Sequence, residues 1–155
     1  MVKKIVGTGV LLVLALALQA GVKMYTLKSP DGKVKLEVTA GQGIAYSLFY
    51  DGRLLLKPSR IALHTDLPEA DHWENIRITG TKQRHVSETV QAPFYRVKEF
   101  GIDCNELELR LNNGFSLLMR AYNDGMAYRF VAGRKGEMTV VEERAEFNFA
   151  DDFEA

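Results

Sequence analysis

Leu107, Leu109 and Leu111 alternate with Glu106, Glu108 and Arg110, and Phe115, Leu117 and Met119 resume the same alternation after Asn112-Asn113-Gly114. A period of two places successive side chains on opposite faces of an extended strand, whereas a helix needs apolar residues three and four apart. Two such strands joined by three residues ending in glycine form an antiparallel hairpin, with Gly114 taking the left-handed loop position. Leu111 then faces Phe115, Leu109 faces Leu117 and Leu107 faces Met119. Read as a second, two-residue loop, Asp124-Gly125 pairs Met119 with Phe130 and Ala121 with Tyr128, extending the same apolar face. On the opposite face that register lines up Glu106, Arg120 and Arg129 in one row, where Glu106 neutralises one of two neighbouring cations.

The rest of the chain repeats this logic. Val34, Leu36 and Val38 alternate with Lys33, Lys35, Glu37 and Thr39, and a turn at Gly41 to Gly43 sets Val38 against Tyr46, Leu36 against Leu48 and Val34 against Tyr50. Asp51-Gly52 predicts a type I′ turn, which needs positive φ at both central residues. Arg53 to Lys57 is the returning strand, ended by Pro58 and Ser59, with Ile61 and Leu63 marking the next. Thr65 to His72 reads as an exposed loop, Trp73 to Thr79 and Lys82 to Val90 as weaker strands, and Phe94 to Phe100 as an edge strand after Pro93. Glu137 to Glu143 and Ala145 to Phe149 complete the pattern. Turn signals at this spacing, with about ten strands and no helix-length period, predict an all-β fold, an antiparallel β-sandwich. Ile44 to Tyr50 is apolar on both faces, so a further layer is expected over part of the outer surface, and the sandwich is expected to be incomplete at its C-terminus.

The N-terminus reads differently. Lys3 and Lys4 precede an apolar run from Ile5 to Leu18, then Gln19, Ala20 and Gly21 lead into polar sequence. A basic start, a short apolar run and small residues describe a signal peptide, residues 1–20, leaving 21–155 as the domain. The run is too short, and too rich in glycine, for a membrane-spanning anchor. A periplasmic or secreted location follows, with no membrane association after cleavage. The 20 basic residues balance 20 acidic ones, and losing Lys3 and Lys4 leaves a slightly acidic mature chain, which argues against a nucleic-acid partner. Cys104 is the single cysteine and closes no intramolecular disulfide.

Two groups of residues resemble the N-terminal domain of family 97 glycoside hydrolases. Ser29-Pro30-Asp31-Gly32, Tyr46-Ser47-Leu48-Phe49-Tyr50-Asp51-Gly52 and Lys57-Pro58-Ser59 are similar to its opening. Asn105-Glu106-Leu107 and the run from Arg120 to Phe130 are similar to its second signature. The resemblance implies a galactose-mutarotase-like β-super-sandwich beside a (β/α)₈ catalytic barrel that acts on α-glucosides or α-galactosides, often with calcium. It implies no cofactor and no metal ligand in this stretch, because the catalytic carboxylates belong to the barrel and the domain's calcium glutamate is expected after Phe149. Gln91 to Val97 lacks the tryptophan usual beside that proline, and Cys104 stands where an aromatic residue is common.

A glycosidase needs two carboxyl groups about 5 Å or 6.5–9.5 Å apart. Asp66, Glu69, Asp71 and Glu74 cluster in one loop, best read as an acidic surface rather than a catalytic pair. His64, His72 and His85 lack zinc spacing. Trp73 reads as core before sugar platform. No catalytic residue is therefore assigned and the substrate-binding residues are left unknown, while Glu106, Arg120 and Arg129 are the candidate contact with the barrel. Two functions follow: a non-catalytic supporting domain of a secreted α-glycosidase, or a free-standing carbohydrate-binding or structural sandwich. The partners expected under the first are the barrel of the same polypeptide and an α-linked oligosaccharide.

Overall fold

A computed structural model describes residues 23–153 other than Tyr95 and Val97. The signal peptide read at residues 1–20 lies outside them. Among the described residues there are nine strands: β1 Met24–Lys28, β2 Val34–Gly41, β3 Gly43–Tyr50, β4 Arg53–Thr65, β5 Ile78–Gln91, β6 Glu99–Leu111, β7 Phe115–Tyr122, β8 Gly125–Ala132 and β9 Val140–Ala145. They form two antiparallel sheets, one ordered β1-β2-β3-β4-β9 and the other β5-β6-β7-β8. The fold is the all-β sandwich that the alternation predicts.

The core lies where the two apolar faces meet. Leu36, Val38, Ile44, Tyr46 and Ile61 from the first sheet pack with Leu107, Leu109, Leu111, Leu117 and Met119 from the second, all but fully buried. The predicted registers hold for the first two hairpins. Val34 faces Tyr50, Leu36 faces Leu48 and Val38 faces Tyr46. Leu107 faces Met119 and Leu109 faces Leu117, around Gly114 at φ 85°. Asp51 and Gly52 both have positive φ, 49° and 80°, as the type I′ reading requires.

The third register differs by two residues. Asn123 and Asp124, not Asp124 and Gly125, form the loop, so Tyr122 faces Gly125, Met119 faces Tyr128 and Leu117 faces Phe130. A shift of two keeps every side chain on its face, and Tyr128 and Phe130 still point inward. Its cause is a contact distant in sequence: the Asn123 side chain accepts a hydrogen bond from the Asp31 backbone N–H at 3.0 Å, which ties this turn to the Ser29–Gly32 corner.

Other boundaries move for identifiable reasons. β1 was not read in the sequence, yet Leu27 is fully buried and the strand pairs with β2. Pro58 does not end its strand: β4 runs through it, and register shifts against β3 between Tyr46 and Phe49 absorb the irregularity. Glu99 and Phe100 open β6, while Pro93 and Phe94 lie in a turn. Beyond β9, the chain still follows β4, through Lys57 N–H to Asn148 O at 2.8 Å and Ala150 N–H to Leu55 O at 2.9 Å.

Residues 66–77 contain no strand, although Trp73 to Thr79 reads as one. They cross one end of the sandwich as a strap whose Ala70, Trp73 and Ile76 close the core. Trp73 is a core residue: its indole N–H donates to Leu63 O at 3.0 Å and its ring meets Phe130 edge-on at 5.2 Å. Leu109 sits at the centre of this packing with no exposed surface. Leu109→Ala should cost about 2–5 kcal/mol of unfolding free energy in urea titration, by lost burial plus the cavity left behind; a loss below about 1 kcal/mol contradicts the packing described.

Candidate functional site

The outward face of the second sheet carries the most organised polar cluster. Glu106, on β6, faces Arg84 on β5 and Arg120 on β7. Its Oε1 accepts from Arg84 Nε at 2.7 Å and its Oε2 from Arg120 Nε at 2.8 Å, and Glu106 is only 4% exposed. Leucines at 107, 109 and 111 face the core, so the alternation itself turns Glu106 outward, beneath the two guanidinium stems.

Arg129 does not belong to this row. The two-residue shift in β8 places Ala127 beside Arg120 and Arg129 beside Leu118, so the second cation is Arg84 from the other flank. Pairing across β5 carried the missing information, and β5 is read only weakly from its mostly polar sequence. Burial alone raises the pKa of Glu106, but the hydrogen bonds and charges of Arg84 and Arg120 outweigh it and hold the group below the ordinary 4.5. Cys104 shares this outward parity yet is fully buried, and burial pushes its thiol up.

The acidic strap residues do not converge. Asp66 accepts from Thr139 N–H at 2.9 Å, Glu69 pairs with Arg134 at 2.8 Å, and Asp71 meets His64 Nδ1 at 2.7 Å. Those hydrogen bonds hold Asp66 and Glu69 below the usual carboxylate range. His85 sits far along the sequence, against Asp103 at 3.2 Å, and His72 lines a cavity with Glu74. Calcium needs about six to eight oxygen ligands. Among the described residues no three His, Cys, Asp or Glu side chains gather to hold a metal.

The two sequence stretches that resemble the family meet in space. Ser29 Oγ donates to Asp31 at 2.6 Å and accepts from Val34 N–H at 3.0 Å, closing the Ser-Pro-Asp-Gly corner. Asn123, from the second stretch, accepts the Asp31 N–H, and Asn105 Nδ2 donates to Lys28 O at 2.9 Å. Both contacts join the first sheet to the second at one end of the sandwich.

The profile of the Glycosyl-hydrolase 97 N-terminal domain matches residues 27–155. The chain belongs to glycoside hydrolase family 97. Over 141 residues it is 40% identical to a retaining alpha-galactosidase of Bacteroides thetaiotaomicron, a match covering 90% of this chain and 21% of that one. A probable retaining alpha-galactosidase of Streptomyces bingchenggensis is 27% identical over 127 residues, 79% of this chain and 19% of the relative. Among solved structures, a beta-arabinopyranosidase superposes with a TM-score of 0.71 at 25% identity, covering 81% of this chain and 21% of that enzyme. A family 97 enzyme from Pseudoalteromonas in complex with panose superposes at 0.68 and 18% identity over 82% of this chain and 20% of its own, which speaks for the fold. This family 97 chain thus spans about a fifth of the relatives it matches, and in them the domain is part of a longer enzyme.

The Glu106 cluster makes a pH prediction. A carboxylate whose folded pKa is depressed stabilises the fold above its ordinary value, and that contribution is lost as pH falls through the depressed one. Glu106→Gln should therefore lower unfolding free energy by about 1–3 kcal/mol at pH 7. The gap should close as pH drops below 4.5 toward the folded value; a gap that stays constant with pH contradicts the ion-pair account.

Proposed function

We propose that this chain is the non-catalytic amino-terminal part of a secreted enzyme that hydrolyses α-galactosides, where it packs against and supports a (β/α)₈ catalytic barrel. The observation that carries the substrate class is the 40% identity to a retaining alpha-galactosidase, against 18% to the panose-bound enzyme. The non-catalytic role draws on three of the four strap carboxylates, Asp66, Glu69 and Asp71, being engaged with neighbours, which leaves Glu74 with no second free carboxylate beside it on the strap. Lys3, Lys4 and the apolar run to Leu18 favour export to the periplasm or beyond. Any calcium of the full-length enzyme is assigned to residues other than those described.

Contact with the barrel is assigned to the outward face of the second sheet. Glu106 holds Arg84 and Arg120 side by side, and Arg129 adds an exposed cation one row away. Guanidinium groups fixed in this way present their remaining donors to carboxylates of a facing surface. The edge formed by β9 and the segment that follows it supports a neighbour as well, since Val141 on the strand and Phe147 and Phe149 beyond it are more than half exposed.

Two measurements test this reading. The full-length enzyme should release galactose from p-nitrophenyl α-galactoside at least tenfold faster than glucose from the α-glucoside; the opposite preference contradicts the assigned substrate. Arg84→Ala leaves Glu106 its Arg120 partner, so it should lower the melting temperature of the full-length enzyme by more than that of this chain alone. Equal shifts in both argue against docking through this face.

A further inference from the structure

A second polar concavity, on the outward side of the first sheet, takes no part in that docking face. Two cavities of about 970 and 590 Å³ adjoin there, sharing Asn75 and Asn112 in their walls. The floor of the larger is formed by Gly41, Gly43 and Ala45, at the β2–β3 turn and the start of β3, so the backbone is open to close approach. The strap forms one wall, pinned by Arg77 N–H to Asn112 Oδ1 at 2.8 Å and Ile76 N–H to Gly41 O at 2.9 Å. Pro58, Arg60 and Glu146 form the other.

Several polar groups here are already spent on the fold: Asn112 on the strap, Glu146 on Arg144 and the Arg60 N–H, Asp71 on His64. The side chains of Gln42, Arg60, Asn75, Arg77 and Glu74 line the same concavity, and none of them has a hydrogen-bond or ion-pair partner among the described residues. The guanidinium donors lie in the larger cavity and the Glu74 acceptor in the smaller. An occupant of both must accept from the first and donate to the second. An anion satisfies only one half; vicinal hydroxyls satisfy both, while the apolar side of a sugar ring suits a floor of glycine and alanine beside Pro58.

We propose that this cleft binds a neutral oligosaccharide. That its sugars are α-galactosyl rests on the function proposed above; the cleft chemistry itself does not. The test is titration of this chain, followed by amide chemical shifts, with stachyose, maltotetraose and sodium galacturonate as separate probes. Stachyose should shift the amides of Gly41, Gly43 and Asn75 in a saturable way. Arg60→Ala combined with Arg77→Ala, both exposed and unpaired, should weaken binding at least tenfold, and Glu74→Ala alone at least threefold. Saturable shifts with maltotetraose but not stachyose uphold the cleft and overturn the α-galactoside reading. Binding of galacturonate alone, of none of the three probes, or binding that both variants leave unchanged, overturns the proposal.

Discussion

Everything in this fold depends on the hairpin register that turns one row of side chains from each strand into a shared interior. In β6 and β7, alternation around Gly114 commits Leu107, Leu109, Leu117 and Met119 to the core. The same parity commits Glu106, Arg120 and Cys104 to the outside. A slip of one residue exchanges those sets, burying charges and exposing leucines, so the core and the outward ionic cluster are two results of one constraint. The first sheet obeys it too, with Ala45 and Arg60 paired outward while Ile44 and Ile61 pair inward.

The ionic cluster is better understood as a specifier of geometry than as a source of stability. Taking the Glu106 carboxylate out of water costs several kcal/mol, and two charge-assisted hydrogen bonds of about 1.5–3 kcal/mol each roughly offset it. What the arrangement supplies is position, because a shared carboxylate sets two guanidinium groups from different strands at one height on the sheet. Similar economy holds at the sandwich end, where Asn105 and Asn123 each use one side chain to join the sheets.

The sequence was most legible where alternation was strict and the turn chemistry local. The β2–β3 and β6–β7 registers and the Asp51-Gly52 turn could be read residue by residue. The β7–β8 register could not, because two adjacent loop placements preserve the same faces, and the choice between them comes from Asn123 meeting Asp31, far away in the chain. Pro58 read as a stop, but an irregular pairing with β3 carries the strand past it. The strap reads as an exposed loop up to His72 and as a strand from Trp73, yet its apolar Ala70, Trp73 and Ile76 are spaced to plug an end. Of the ionic cluster, Glu106 and Arg120 were legible from one hairpin. Arg84 was hidden in β5, whose mostly exposed residues give little periodic signal. The cleft on the first sheet had no local signature, since its walls come from β4, the strap and residues after β9. Family membership was legible in stretches that prove to touch.

Cross-strand nuclear Overhauser effects in the isolated chain test this account most directly, because they report which residues face each other in solution. Contacts pairing Leu109 with Leu117, Glu106 with both Arg84 and Arg120, and Leu118 with Arg129 are the predicted result. A pattern displaced by one residue in β6–β7, or one that sets Arg129 beside Arg120, would contradict both the interior and the outward cluster derived from it.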